Sequence, residues 1–127
     1  MSEILANLSK NGNGKLIGAT YPTTSVPNGT YTTIGSISLK ANHTYIVTAS
    51  HQYSTAIANV AIVARLNLGG TNKAIYRNPN GMYNGGGSVL STIVRPTSDD
   101  TIYFDVWQGS GSTQTASSVN MNAYQLD

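Results

Sequence analysis

Residues 88–111 read Ser-Val-Leu-Ser-Thr-Ile-Val-Arg-Pro-Thr-Ser-Asp-Asp-Thr-Ile-Tyr-Phe-Asp-Val-Trp-Gln-Gly-Ser-Gly. This stretch constrains the fold more than any other. β-branched and aromatic residues alternate with polar ones at a period of two on either side of Asp99-Asp100, where the chain must reverse. The reading is strand, tight polar turn, strand, Gly/Ser loop. A third strand candidate, residues 116–126, follows almost at once. Closely spaced antiparallel strands of this kind bury their apolar faces only as a sandwich or barrel. They leave no room for a catalytic insertion, so surface and loops are expected to carry the function.

The rest of the chain repeats the pattern. Residues 16–19 form a short first strand, and residues 21–29 a loop with two prolines and an Asn-Gly. Residues 31–39 alternate, with Ile37 and Leu39 on one face. Residues 44–53 form a long strand whose Tyr45, Val47, Ala49 and His51 share a face. Residues 56–68 are the strongest strand, with Val60, Ile62, Ala64, Leu66 and Leu68 in line. Gly69-Gly70 is a hairpin signal, and residues 72–77 return. Residues 78–87, rich in Gly and Asn, are the longest irregular segment. About eight strands at 8–12-residue spacing predict one all-β domain, an antiparallel sandwich or barrel, over residues 15–127. Residues 1–14 are expected to be a stalk remnant or flexible lead-in. Ile4, Leu5 and Leu8 give the only helical spacing, too short for a stable helix alone.

Composition narrows the function classes. Only 9% of the 127 residues are charged, against ~25% in an average soluble protein. Asn, Thr, Ser and Gly take their place, which suits a solvent-facing sheet or a dense oligomer. The seven Lys and Arg are scattered, leaving no nucleic-acid footprint. There is no cysteine, hence no disulfide and no thiolate metal site. Met1-Ser-Glu-Ile-Leu lacks the basic and apolar regions of a secretory leader, and no stretch is long and apolar enough to span a bilayer. No cofactor is expected. Enzyme activity is not expected either. His43 and His51 are the only histidines, and the acids are Glu3, Asp99, Asp100, Asp105 and Asp127, without the pairing that nucleophilic or glycosidase chemistry requires. Asp99-Asp100 reads as a solvated turn rather than a calcium site.

Aromatic residues are the stronger signal. Eight tyrosines and one tryptophan accompany a single Phe. Polar-tipped rings give large contact area at low entropic cost. On the strand before Gly109, aliphatic character assigns Ile102, Phe104 and Val106 to the core. Tyr103, Asp105 and Trp107 then face outward, either as a sugar-binding surface or as packing at a subunit interface. The candidate ligand site comprises Trp107 for stacking, Asp105 to accept hydroxyls, Tyr103, and Tyr83 and Asn80 from the 78–87 loop. Arg77 and Arg95 are added as donors to hydroxyls or phosphate.

Residues 38–50, Ser-Leu-Lys-Ala-Asn-His-Thr-Tyr-Ile-Val-Thr-Ala-Ser, resemble the Tyr-containing strand of tumour necrosis factor-like and complement-head jelly rolls. Residues 97–111 resemble the later Gly-Asp strand of those heads, and residues 120–126 their closing strand. Asn42-His43 and Asp99 stand where that pattern has Gly. The low charge and missing cysteines make the chain most similar to bacteriophage tail-fibre or receptor-binding-protein heads. That resemblance implies an antiparallel jelly-roll sandwich that serves as a homotrimeric adhesin head, exposed on the virion, and recognises a host cell-wall saccharide or teichoic-type polymer without catalysis. The alternative is a structural virion component that binds other phage proteins; a bacterial lectin is a third reading. The uncharged strands at residues 44–53 and 56–64 are the candidates for subunit contact; His51 reads either as a residue facing neighbouring strands or, in a trimer, as one near the axis.

Overall fold

The computed structural model describes residues 15–54, 57–58, 61–78, 81–82 and 87–127. The segment expected to be a stub, residues 1–14, lies outside them. The described residues form eleven strands in the order β1 (Lys15–Tyr21), β2 (Thr24–Val26), β3 (Thr32–Leu39), β4 (Tyr45–Tyr53), β5 (Ile57–Ala58), β6 (Ile62–Leu68), β7 (Thr71–Asn78), β8 (Gly81–Met82), β9 (Gly87–Val94), β10 (Asp100–Gln108) and β11 (Gln114–Gln125). One sheet has the order β1-β11-β4-β9, with β2 also paired to β11; the other has the order β3-β10-β6-β7. The paired strands are antiparallel throughout. The domain is an antiparallel jelly-roll sandwich, with no helix among the described residues.

Period two decides which side of each strand is dry. Ile102, Phe104 and Val106 are fully buried, and Ile62, Ala64, Leu66 and Leu68 face them from β6. Tyr45, Val47 and Ala49 of β4, with Met121 and Ala123 of β11, supply the opposing layer. Each large side chain in this layer contributes roughly 1.5–3 kcal/mol by leaving water. The β6–β7 hairpin turns on Gly69 and Gly70, whose φ of 62° and 78° are both positive, as a type I′ turn demands.

The strand expected over residues 56–68 is two strands. β5 pairs with β8, apart from β6, which joins β10 and β7. The expected loop at 21–29 holds a short strand, β2, which covers the end of β11. Apolar patterning does not reveal either departure, because both depend on pairing with distant segments. The two uncharged strands expected to form one subunit contact are also separated. β4 lies in one sheet and β6 in the other, so no single flat face contains both.

His51 is a core residue, facing neighbouring strands. It is 4% exposed. Its Nδ1 shares a 2.7 Å hydrogen bond with Ser88 Oγ. Its ring meets Tyr53 edge-on at 4.8 Å and Phe104 at 5.7 Å. Among the described residues, neither Nε2 nor the Tyr53 hydroxyl has a hydrogen-bond partner. Burial lowers the His51 pKa to about 4 and raises that of Tyr53. Gly87 permits this arrangement, since a Cβ there would overlap the His51 carbonyl.

Candidate functional site

The large apolar side chains left exposed divide between the two outer faces. Leu16, Val89 and Ile93 lie on the β1-β11-β4-β9 sheet; Tyr31, Ile75 and Tyr103 lie on the other side, on or beside β3, β7 and β10. The chemistry around them differs. On the first sheet, cross-strand register aligns Leu16, Tyr124, Ile46 and Ile93 in one row and Gly18, Asn122, Thr48 and Ser91 in the next. These positions carry no charge. A shallow groove of about 220 Å³ beside them is lined by Thr48, Ser50, Val89, Asn120 and Asn122, with Ala49.

The outer face of β3-β10-β6-β7 is aromatic and charged. Thr33, Asp105, Arg65 and Ile75 form one row across the four strands. Asp105 is buried. Its Oδ1 accepts a 2.6 Å hydrogen bond from Thr33 Oγ1, and its Oδ2 a 3.0 Å bond from Arg65 Nε. The Arg65 guanidinium stacks on the Tyr31 ring, 3.8 Å from the ring centre, a cation–π contact. The next row joins Trp107, Val63 and Arg77. A groove of about 360 Å³ opens there, lined by Ala61, Ile62, Val63, Arg77 and Asn78. The Trp107 ring edge lies over Gly109, where a Cβ would sit 3.0 Å from it.

Buried Gln108 shapes the loop beneath that ring. Its Nε2 donates to Val26 O (3.0 Å) and Ser112 O (2.8 Å), and its Oε1 accepts from Ser110 N (2.8 Å). A fully bonded buried amide of this kind fixes a loop in one conformation.

The structure brings Trp107, Tyr103 and Arg77 to one face and revises two other expectations. Asp105 does not present its carboxylate to a ligand: both its oxygens are occupied within the sheet, and it is buried. Arg95 lies at the opposite end of the sandwich. Its Nη1 donates to Asp127 Oδ2 at 2.7 Å and to Thr44 Oγ1 at 2.9 Å, beside a separate groove of about 290 Å³ that includes Lys73, Thr97 and Asp100. Tyr83 and Asn80 lie outside the described residues. Arg65 and Tyr31 were not singled out from sequence. Arg65 does alternate in phase with Val63 and Asn67, and that phase is the signal that places it on this face.

Asp99 pairs with Lys40 at 3.5 Å and accepts from Ala41 N. Among the described residues, no three His, Cys, Asp or Glu side chains cluster for a metal ion. The first residue of β1, Lys15, in register with Gln125, and the Asp127 cluster share one end of the sandwich. Trp107, Val63 and Arg77 occupy the other end.

No family model and no curated protein matches the chain. Solved structures share the fold. The VP2 subviral particle of infectious bursal disease virus aligns over 89% of this chain and 32% of its own, at 15% identity and TM-score 0.60. The T13 particle of the same virus aligns over 88% and 31%, at 13% identity and TM-score 0.57. Dimeric latent PorU from Porphyromonas gingivalis aligns over 91% and 13%, at 13% identity and TM-score 0.59. The chain thus spans a third or less of each of these neighbours. What these neighbours share with the chain is the fold, an antiparallel jelly-roll-like sandwich.

Proposed function

We propose that the chain is a non-catalytic receptor-binding head of a bacteriophage, displayed on the virion at a tail or fibre tip, that recognises a host cell-surface saccharide. The observation that carries this reading is the chemical division of the two outer faces. An aromatic surface holding the Arg65–Asp105 pair and the exposed Arg77, beside an apolar groove, suits weak multi-point sugar recognition, with rings on apolar sugar faces and guanidinium donors on oxygens. The uncharged face with Leu16, Val89 and Ile93 suits association with further copies, because no charge is desolvated there. A homotrimer would present three ligand faces and raise avidity without new contacts. Trp107 and Arg77 lie at the end of the sandwich away from the start of β1.

A second reading is a structural virion component that binds only other phage proteins. The fold shared with VP2 of a subviral particle favours it. A glycan-binding screen together with adsorption of the purified protein to intact host cells separates the two. The adhesin reading expects saturable adsorption, competed by a soluble cell-wall saccharide. Absence of adsorption from a trimer, verified by sedimentation, contradicts it.

A further inference from the structure

We infer that Arg65 is an anion receptor on this face, so that the polymer recognised carries a phosphate or carboxylate; the inference rests on the saccharide-binding reading above. Three observations converge on it. First, the ion pair with Asp105 uses only Nε. Guanidinium–carboxylate pairs are frequently bidentate, through two parallel N–H groups; this one is not. Here the second Asp105 oxygen is taken by Thr33, and no Nη donor of Arg65 has an acceptor among the described residues.

Second, the plane of the guanidinium is fixed. Asp105 holds Nε from one side, and the Tyr31 ring supports the flat face. The Arg65 side chain remains 26% exposed against 9% for that of Asp105, so solvent reaches the guanidinium's side of the pair more than the carboxylate's. A fork fixed before binding loses less freedom when a two-oxygen acceptor arrives. Asp105 and Tyr31 are then positioning residues.

Third, the charge of the surroundings favours an anion. Among the described residues the other acids are Asp99, Asp100 and Asp127. Asp99 and Asp127 are engaged at the far end, and Asp100 borders the groove there. Arg77 stands one row along on the neighbouring strand, a second cation at a spacing that suits a repeating polyanion.

The test is titration of the assembled protein with three soluble polymers: inorganic polyphosphate, polygalacturonate and neutral dextran. Host-cell adsorption is measured in parallel. The wild type is expected to bind one polyanion, more weakly as salt rises, and to ignore dextran; which polyanion binds separates a phosphate from a carboxylate ligand. Arg65→Gln should weaken that binding by about 10-fold or more, the usual cost of a lost charged hydrogen bond. Arg65→Lys keeps the charge and the fold but not the fork, and should also lose affinity. Its loss distinguishes recognition by the fork from simple charge, and it serves if the Gln variant fails to fold. Wild-type affinity in a folded Arg65→Lys and Arg65→Gln pair overturns the inference. Adsorption to cells with binding to neither polyanion also overturns it and leaves the saccharide reading standing. Failure of the wild type to adsorb to cells overturns that reading instead, while an Arg65-dependent polyanion titration still supports anion recognition.

Discussion

Lowering the pH from 7 to 4 is expected to remove about 3 kcal/mol of folding stability through His51 alone. Buried beside Ser88, Tyr53 and Phe104, its imidazole stays neutral in the folded protein until the pH nears 4, whereas in the unfolded chain it takes up a proton near its ordinary 6.5. The unfolded state therefore binds more protons between these values. The stability tied to neutral His51 is complete above pH 6.5 and drains away as pH falls toward 4. The described partners of the ring are uncharged: Tyr53 lies on its own strand, Ser88 on β9 and Phe104 on β10. The carboxylates act in a lower window. The Ala41 amide and Lys40 lower the pKa of Asp99, and the Thr44 amide and Arg95 lower that of Asp127. Their contributions are present above their ordinary 3.8 and are lost as pH falls through their folded values. Urea unfolding at fixed protein concentration and stepped pH checks this. His51→Gln should flatten the profile between pH 6.5 and 4. A wild type equally stable at pH 7 and 4.5 would show that His51 is not held neutral.

Trp107→Ala should leave the sandwich and its oligomeric state intact and severely weaken adsorption to cells. The side chain is half-buried, its Cα faces Val63 across the β10–β6 pair, and its removal takes away a stacking surface of about 1–2 kcal/mol per site. If three sites act together, the loss compounds to on the order of 10²–10⁴-fold in avidity. Equilibrium adsorption of labelled protein measures it, with sedimentation as the control. Unchanged adsorption would place the site elsewhere. Dissociation of the oligomer would make Trp107 an interface residue.

The division of β10 into a dry face of Ile102, Phe104 and Val106 and a wet face with Tyr103 and Trp107 was legible in the sequence, because alternation along one strand records which side is buried. The same held for β4, β6 and the Gly69-Gly70 turn. The role of Asp105 was not legible. Its burial depends on Thr33 and Arg65, which lie 72 and 40 residues away and become neighbours only through strand register. Arg65 and Tyr31 were hidden for the same reason: neither residue alone differs from any solvated side chain, and their meaning is the stack they form. Arg95 was misplaced because proximity in sequence to β10 says nothing about which end of the sandwich a turn occupies. The Asp127 carboxylate decides that, by fixing Arg95 beside Thr44.

The most direct measurement of the central claim is a residue-resolved NMR footprint of the isotope-labelled protein titrated with saccharide released from host cell walls. Shifts should concentrate on the outer face of β3-β10-β6-β7, at Arg65, Arg77, Tyr103 and the Trp107 indole N–H, while Val89, Ile93 and the Arg95 end stay unmoved. Shifts confined to the Val89–Ile93 face or to the Lys73–Arg95 groove, or no shifts at saturating saccharide, would contradict it.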